Sequence, residues 1–357
     1  MSEPIEVFSM PFDVRTSPYF RLWREALEHY KDQVVMREVP GQSLFQLLVK
    51  HPWRTRRHVL CIHWPTALYG SKYALKSILL LCLNIPTLFV LKTLFSFKVV
   101  WVLHNRFEHD YPHPWIDSLG RSLVGSVADG LVAQQRITAE EFAALYPRAK
   151  VVYIPHSNYG TYFGPLVEKS AALRKRFGFA PGDIILLILG TVRPSKKIEN
   201  IFEAMRMLLG SLDPRIKLWV VGTGDGEYLK KLKGLAADIP QVVFKDTFIP
   251  DNEMTTYAAC ADYSISYFDE SEMTSGVVPL SLSVGLPVIV RNIPGAEQVK
   301  NGENGFVFKS VEELADILRA LPTAPAPSQK AVAASIAPYT WDSAARRYVV
   351  LYSVLWT

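Results

Sequence analysis

The segment Asp262–Val290 reads DYSISYFDESEMTSGVVPLSLSVGLPVIV and holds a complete pattern of α/β structure. Both of its ends are apolar, and Tyr263–Phe268 and Pro287–Val290 have the composition of buried strands. Between them, Val277–Val284 predicts a short buried helix. A strand, a loop, a helix and a second strand in a segment of this length form one βαβ crossover of a parallel sheet.

The loop of this crossover combines acidic residues with small ones. It contains Asp269, Glu270 and Glu272, followed by Thr274, Ser275 and Gly276. Because the first N–H groups of a helix have no partner within the helix, a helix start can bind an anion. We therefore expect a phosphate-binding site at Thr274–Gly276.

The composition is that of a folded protein, with 49% hydrophobic and 20% charged residues. A chain of 357 residues is too long for one comfortable hydrophobic core, so two domains are expected. The net charge of +5 suits anionic partners such as nucleotide phosphates or acidic lipid headgroups. No run of basic residues is dense enough to indicate nucleic-acid binding.

Three features bear on the cellular compartment. Cys61, Cys82 and Cys260 lie in apolar surroundings without CxxC spacing, which predicts free buried thiols in a reducing compartment. Met1–Glu6 is acidic and predicts no signal peptide. The longest uncharged stretch, Ser77–Leu91, has 15 residues, whereas a spanning helix needs about 20. We expect no helix that crosses a bilayer.

Polar residues follow the predicted strands in both halves of the chain, and ligands of open α/β sheets bind at the carboxyl ends of the strands. In the first half, these ends are His63-Trp64, His104–Asp110 and His156–Tyr159. In the second half, the strand Ile184–Leu189 leads to Gly190, Arg193 and Lys196, and the strand Lys217–Val221 leads to Gly222 and Gly224. The repetition predicts two successive βα domains with a boundary near Tyr159–Ala172.

These motifs carry a family resemblance. Gly190-x-x-Arg193-x-x-Lys196, Gly222-x-Gly224 and Gly285-x-Pro287 resemble the C-terminal domain of GT-B glycosyltransferases of family 4. A narrower resemblance, to the family 94 β-mannosyltransferases of bacterial exopolysaccharide assembly, rests on His63-Trp64-Pro65, His104-Asn105, Arg193-Pro194 and Thr274-Ser275-Gly276. The similarity covers nearly the whole chain.

The resemblance implies an α/β protein of the GT-B fold, in which two Rossmann-like domains face each other across a cleft. The expected parts are an acceptor-binding N-terminal domain, a nucleotide-sugar-binding C-terminal domain and a terminal helix that crosses back to the first domain. Their expected bounds are residues 1–165, 166–335 and 336–357.

The implied activity is transfer of a hexose, mannose from GDP-mannose, to a lipid-linked saccharide, without a metal or a cofactor. The donor-binding candidates are Arg193, Lys196, Gly190, Gly222, Gly224, Glu272, Thr274, Ser275, Gly276 and Glu297. The candidates for the general base or other catalytic group are Glu108, His109, His104 and Asp13. The acceptor-binding candidates are His63, Trp64, Asn105 and His156.

One position departs from the family 4 pattern. Retaining enzymes of that family carry two glutamates eight positions apart around this loop, and the second holds the nucleotide ribose. Glu272 matches the first, but Leu280 stands at the second position. This departure favours the family 94 pattern and an inverting reaction. Glu297 is either a substitute for the missing glutamate or a helix-capping acid.

The segment Lys72–Phe97 admits two interpretations. Its apolar body framed by lysines, together with the basic run Trp53–Arg57, is typical of an interfacial helix on a membrane with anionic lipids. It is equally typical of a buried crossover helix. The first interpretation predicts a peripheral protein on the cytoplasmic face of the inner membrane, where lipid-linked acceptors reside.

Three alternative functions stay open. The chain could be a retaining family 4-type transferase that uses a UDP-sugar, or a catalytically inactive partner subunit of a polysaccharide complex. A third alternative, an NAD-dependent enzyme, is disfavoured because Gly222-x-Gly224-x-Gly226 lacks the GxGxxG spacing.

Overall fold

The computed structural model describes residues 3–11, 18–50, 57–108, 111–164, 167–270 and 272–357, without the side chains of Gln42 and Thr161. The chain divides into two compact units. Unit 1 comprises Met1–Ser157 together with Tyr339–Thr357, and unit 2 comprises Asn158–Pro338.

Unit 1 is built on a parallel sheet of six strands in the order β2-β1-β3-β4-β5-β6. Before the chain leaves this unit, its elements are β1 (Ile5–Met10), α1 (Pro18–Glu28), β2 (Val34–Glu38), α2 (Leu44–Lys50), β3 (His58–Ile62), α3 (Ala74–Leu94), β4 (Lys98–Leu103), α4 (Pro114–Val127), β5 (Gly130–Ala133), α5 (Arg136–Leu145) and β6 (Lys150–Tyr153). The strands β1 and β3 are buried along their whole length, as expected for a parallel sheet covered on both faces.

Unit 2 repeats the design, with six parallel strands in the order β12-β11-β10-β7-β8-β9. Its elements are α6 (Gly160–Phe163), α7 (Ala171–Arg176), β7 (Ile184–Leu189), α8 (Ile198–Arg206), β8 (Ile216–Val221), α9 (Gly226–Leu235), β9 (Val242–Lys245), α10 (Met254–Cys260), β10 (Tyr263–Ser266), α11 (Val277–Ser283), β11 (Val288–Arg291), β12 (Gly305–Phe308), α12 (Val311–Ala320) and α13 (Gln329–Ile336).

The central strand β7 shows why unit 2 has two apolar layers. Leu186 and Ile188 point into the cluster formed with α8 and α12, whereas Ile185 and Leu187 point into the cluster formed with α10 and Trp219. Alternate side chains of a strand leave opposite faces of the sheet. A strand with apolar residues at every position is therefore covered on both sides, and the sequence IILLIL satisfies that requirement.

Each sheet contains one topological switch point. From β1 the chain first adds β2 on one side and then continues with β3 on the other, and from β7 it first adds β8 and later places β10 on the opposite side. At such a point the loops leaving two neighbouring strands diverge, and this opens a crevice at the carboxyl ends where ligands bind. The switch points lie between β1 and β3 and between β7 and β10.

The last helix, α14 (Trp341–Val354), belongs to unit 1. It packs against α1, where the ring of Trp341 lies 5.2 Å from that of Tyr19 and the ring of Tyr348 lies 5.6 Å from that of Trp23. These large aromatic side chains are buried, so α14 completes the core of unit 1.

The predicted burial of all three cysteines needs correction, and the uncharged stretch Ser77–Leu91 lies in a longer helix. Cys61 and Cys260 are buried, but Cys82 is exposed on α3. In the described part of the chain, α3 is the one helix long and apolar enough to cross a membrane, and only 33% of its most apolar window is buried. The helix has 21 residues, because it continues beyond both ends of the uncharged stretch and includes Lys76 and Lys92.

Candidate active site

The switch point of unit 2 brings together the loops that follow β7 and β10. The backbone N–H of Asp269 donates to the Ser195 carbonyl oxygen at 2.9 Å, and Lys197 Nζ lies 3.2 Å from Asp269 Oδ2. The two loops are thus fixed against each other at the carboxyl ends of β7 and β10. The motif Gly190–Lys196 and the loop that contains Glu272 meet where the fold predicts a ligand crevice.

Arg193 and Glu272 form an ion pair across these two loops, with 3.0 Å between Arg193 Nη2 and Glu272 Oε1. The carboxylate is almost fully buried, whereas about a third of the arginine side chain is exposed. A buried carboxylate that is hydrogen bonded to a guanidinium holds that group in a fixed direction. Glu272 therefore orients Arg193 and leaves part of its guanidinium accessible to an anion.

Lys196 lies on the same loop and is buried. Its Nζ donates to the Leu189 carbonyl oxygen at 2.9 Å, at the end of β7. Burial and the positive charge of Arg193, opposed by Glu272, together lower the pKa of Lys196 to about 7. An anion that binds beside Lys196 would therefore favour its protonated form.

Gly190, Gly222 and Gly224 allow two loops to touch. A Cβ on Gly222 would lie 2.1 Å from the Gly190 carbonyl oxygen, and a Cβ on Gly224 would lie 2.2 Å from the Val192 carbonyl oxygen. The Val192 N–H donates to the Thr223 carbonyl oxygen at 2.8 Å. These glycines were predicted to contact the donor; what the structure shows is that they set the position of the loop that carries Arg193.

The small residues before α11 lie on the neighbouring loop. Ser275 is buried, Thr274 is half-buried and Gly276 is exposed at the start of the helix. The helix has only seven residues, so its dipole is small and only local N–H groups are available to an anion. A Cβ on Gly295 would lie 3.0 Å from the Ser275 nitrogen, which places the loop after β11 against this turn. Glu297 is exposed at the end of that loop.

The candidate histidines of unit 1 form one buried cluster. His63 Nδ1 lies 3.0 Å from His104 Nε2, and Tyr19 lies edge-on to the rings of His63, His104 and His156. His156 Nδ1 lies 2.9 Å from the Ser157 carbonyl oxygen. The side chains that follow β3, β4 and β6 therefore lie together in the structure.

The three imidazoles are uncharged at neutral pH. Burial, together with His156 and Arg121, lowers the pKa of His104 to about 3. Burial also lowers the pKa of His156 to about 4 and that of His63 well below its ordinary value, the latter with a contribution from His104. Neutral imidazoles offer one donor and one acceptor each, so this cluster can orient hydroxyl groups.

Two further acceptor candidates border the cluster. The half-buried Trp64 ring stacks on His104 with 4.8 Å between ring centroids. Asn105 is half-buried, and its carbonyl oxygen accepts from Arg121 Nη1 at 2.7 Å. A stacked indole and polar groups are a common lining of saccharide sites, because a sugar has apolar C–H faces and a rim of hydroxyls.

Glu108 is held in place by residues that the sequence analysis did not single out. Its Oε2 accepts from Thr66 Oγ1 at 3.2 Å, and its backbone N–H donates to Asp117 Oδ2 at 2.9 Å. Asp117 is paired with Arg121 at 2.9 Å, and both are buried. The i, i+4 spacing of Asp117 and Arg121 on α4 was the available signal.

Two of the catalytic candidates, Asp13 and His109, lie outside the described residues. Among the described residues, no group of three or more histidines, cysteines and acids has the geometry to hold a metal ion.

The two sites differ in chemistry. The site of unit 2 offers an oriented guanidinium and a lysine that can be charged, which suits a phosphate or diphosphate. The site of unit 1 offers neutral imidazoles, an indole and a partly exposed carboxylate, which suits a neutral polyol and the removal of a hydroxyl proton.

Residues 169–335 match the family model described as glycosyl transferases group 1. This match falls within unit 2 and includes Arg193, Lys196, Glu272 and the turn at Ser275.

Curated relatives match over part of their length. The D-inositol 3-phosphate glycosyltransferase of Thermobispora bispora is 30% identical over 213 residues, which are 56% of this chain and 49% of that protein. The protein of the same name from Rhodococcus erythropolis is 28% identical over 232 residues, 61% of this chain and 51% of that protein. The chain therefore spans about half the length of these relatives.

Solved structures match over the whole chain. Sucrose-phosphate synthase from Thermosynechococcus elongatus superposes with a TM-score of 0.72 at 17% identity and covers 99% of both chains. Anabaena HepE in complex with UDP and glucose gives a TM-score of 0.68 at 15% identity, over 98% of this chain and 100% of that one. The predicted GT-B fold, with two Rossmann-like parallel-sheet domains, is confirmed, and residues 169–335 carry the glycosyl transferases group 1 pattern.

Proposed function

We propose that this protein is a glycosyltransferase that moves a sugar from a nucleotide-sugar donor to an acceptor hydroxyl. The observation that carries the proposal is the pair Arg193 and Lys196 at the switch point of unit 2, with Arg193 oriented by the buried Glu272. When the glycosidic bond of the donor breaks, negative charge develops on the diphosphate. Preorganised cations stabilise that charge more in the transition state than in the ground state.

In this proposal the leaving diphosphate needs no resident metal ion or cofactor, since the two side chains supply positive charge. Glu108 acts as the general base that removes the proton of the acceptor hydroxyl. It suits this role because its carboxylate is partly exposed and is fixed by Thr66 and by the Asp117–Arg121 pair. The histidine cluster with Trp64 orients the acceptor.

The narrower proposal is that mannose is transferred from GDP-mannose, with inversion, to a lipid-linked saccharide at the cytoplasmic face of the inner membrane. Leu280 supports it, because the second glutamate of retaining family 4 enzymes is missing at that position. A second candidate is retaining transfer from a UDP-sugar, which is favoured by the solved complexes of Anabaena HepE with UDP and UDP-glucose.

Donor binding and turnover test the proposal separately. Arg193→Ala is expected to weaken nucleotide-sugar binding about tenfold or more in calorimetry, because a bidentate partner of the diphosphate is lost. Glu108→Gln is expected to retain donor binding and to lose turnover by at least about a hundredfold. Arg215→Ala, which removes an exposed arginine of unit 2 that pairs with Asp213, is the matched control and is expected to change neither quantity.

Thermal unfolding of Arg193→Ala accompanies the titration, because Glu272 loses its partner in that variant. Donor affinity unchanged in a folded Arg193→Ala variant would contradict the proposal. A screen of GDP-mannose against UDP-sugars with an extract of lipid-linked acceptors, followed by NMR of the anomeric carbon in the product, separates the two narrower candidates.

A further inference from the structure

The helix α3 presents large apolar residues to the outside, and its buried side includes three polar residues. Asn84 Nδ2 donates to the Leu68 carbonyl oxygen at 2.6 Å, and Ser77 and Thr87 are also buried. By contrast, Leu79 and Phe89 are 62% and 58% exposed. A surface helix of a globular protein normally has the opposite arrangement. The outward side of α3 is therefore suited to an apolar environment.

Neighbouring helices extend this surface. The helices α2 and α4 both contact α3, and each adds large exposed apolar side chains. We call the combined surface the apolar face, and its main members are Phe45, Val49, Leu79, Leu83, Phe89 and Trp115. Large exposed apolar side chains gathered on three neighbouring helices mark an interaction site rather than ordinary surface.

The charged side chains in this part of the sequence are all positive. Residues 39–107 contain nine lysines and arginines and no aspartate or glutamate, although the whole chain has a net charge of only +5. Lys50, Lys72 and Lys76 are exposed at the ends of α2 and α3. Such lysines at the rim of an apolar surface are attracted to anionic headgroups while the apolar side chains enter the acyl boundary.

Aromatic residues mark one end of α3. Tyr73 and Trp115 are exposed there, and His113 Nε2 lies 3.2 Å from the Lys72 carbonyl oxygen, which brings the start of α4 beside the start of α3. Tyrosine and tryptophan with lysine are the side chains that prefer the headgroup region of a bilayer.

The topology excludes a spanning role for α3. The helix connects β3 to β4, which are paired neighbours in one sheet, and Leu81, Leu88 and Leu91 are buried on its inner side. Only the outer side is available, so the helix can lie along a bilayer surface but cannot cross it without leaving the fold.

We propose that the apolar face docks unit 1 onto a lipid bilayer that contains anionic headgroups. Together with the proposed function, on which this step rests, docking would bring a lipid-linked acceptor to the loop after β4. That loop carries Glu108, and Tyr111 Oη in its continuation donates to Ser77 Oγ at the start of α3, at 2.7 Å.

A second copy of the chain is a less suitable occupant. In a two-fold symmetric dimer the same surface meets itself, so Lys50, Lys72 and Lys76 of one copy would approach those of the other. A bilayer with negative headgroups satisfies both the apolar side chains and the lysines.

Vesicle binding tests the proposal with the full chain and without any nucleotide sugar. In co-flotation, we expect binding to vesicles of phosphatidylcholine with phosphatidylglycerol and weaker binding to pure phosphatidylcholine. The affinity of the double variant L79Q/F89Q for these vesicles is expected to be at least about tenfold lower, because two apolar side chains no longer gain from burial. K72Q/K76Q is expected to lose about thirtyfold toward the anionic vesicles only, because each lysine contributes about 1 kcal/mol.

The matched control is I137Q/L145Q on α5, whose residues are 61% and 59% exposed and lie outside the apolar face. It should bind vesicles like the unaltered protein. Absence of vesicle binding, or equal loss in L79Q/F89Q and in the control I137Q/L145Q, would overturn the proposal. So would a dimer in sedimentation that dissociates in L79Q/F89Q. Donor binding by L79Q/F89Q in solution is expected to be unchanged, so a failed donor assay and a failed vesicle assay are separate results.

Discussion

Lys196 lies in a buried environment that disfavours its positive charge, so its protonation state should depend on whether an anionic ligand is bound. Its ammonium group is buried and stands near Arg193, and these two effects, opposed by Glu272, lower the pKa of the lysine to about 7. A nucleotide sugar has no phosphate group that titrates near neutral pH. The protonation of Lys196 is therefore the titration that donor binding is expected to report.

Donor affinity should fall as pH rises above 7, because the neutral amine no longer attracts the diphosphate. Calorimetry at pH 6.5, 7.5 and 8.5 should show a decrease of up to about tenfold for each pH unit. Binding should take up a proton, which is measured in buffers of different ionisation enthalpy. Lys196→Met is expected to bind the donor weakly at each pH, without this slope.

Protein stability should move in the opposite direction. Above pH 7 the unfolded chain keeps the lysine protonated while the folded chain does not, so raising the pH increases the free energy of unfolding that this residue contributes. Loss of affinity at higher pH would therefore not result from unfolding. An affinity that stays constant from pH 6.5 to 8.5 would contradict the proposed role of Lys196.

The sequence predicted some residues of the site better than their partners. Arg193 and Lys196 could be predicted because they stand at fixed spacing after a fully apolar strand. The ion pair between Arg193 and Glu272, and the support of Glu108 by Asp117, join residues that are 79 and 9 positions apart. Such contacts depend on how loops meet after folding, and a local pattern does not contain that information.

At the scale of elements, the loops after β7 and β8 are held against each other by backbone contacts. The Val192 N–H bonds to the Thr223 carbonyl oxygen, and the two backbones approach so closely that only glycine fits at Gly222 and Gly224. The direction of Arg193 consequently depends on a backbone contact with a loop that need not touch the donor.

Gly224→Ala should therefore weaken both the fold and donor binding. An added methyl group 2.2 Å from the Val192 carbonyl oxygen forces the loops apart, at a cost of about 1–3 kcal/mol in the free energy of unfolding. Gly226→Ala is the matched control, since a Cβ at this position has no neighbour within 4 Å. Gly226 is also the first residue of α9, and alanine is a better helix former than glycine. Urea unfolding and donor titration of both variants provide the measurement, and equal effects would refute the loop-contact argument.

The helix α3 shows a different limit of sequence reasoning. Its apolar composition was compatible with a buried crossover helix and with an interfacial one, because composition does not state which side faces the sheet. The structure shows which side of α3 faces the protein interior, because Ser77, Asn84 and Thr87 are buried on that side. In contrast, β7 was predicted with correct bounds, since a fully apolar run of six residues leaves few alternatives.

At the scale of the whole molecule, the chain leaves unit 1 after Ser157, builds all of unit 2 and returns at Tyr339. Unit 1 is therefore incomplete until the last helix has been synthesised. The contacts of Trp341 with Tyr19, of Tyr348 with Trp23 and of Tyr352 Oη with Cys61 Sγ at 3.6 Å close its core. Unit 2 contains its own two apolar clusters and depends on none of these side chains.

A truncation within α14 should consequently act on unit 1, although α14 follows unit 2 in the sequence. Tyr348→Ala removes a buried aromatic side chain and is expected to lower the free energy of unfolding of unit 1 by about 3–5 kcal/mol. In hydrogen exchange followed by mass spectrometry, amides of β3 and β4 should lose protection while those of β7 and β10 keep it. Val350→Ala, at a position on the same helix that is 57% exposed, should leave both sheets unchanged. If Tyr348→Ala instead lowered protection equally in both sheets, the two units would unfold as one cooperative body, and the assignment of α14 to the stability of unit 1 alone would be wrong.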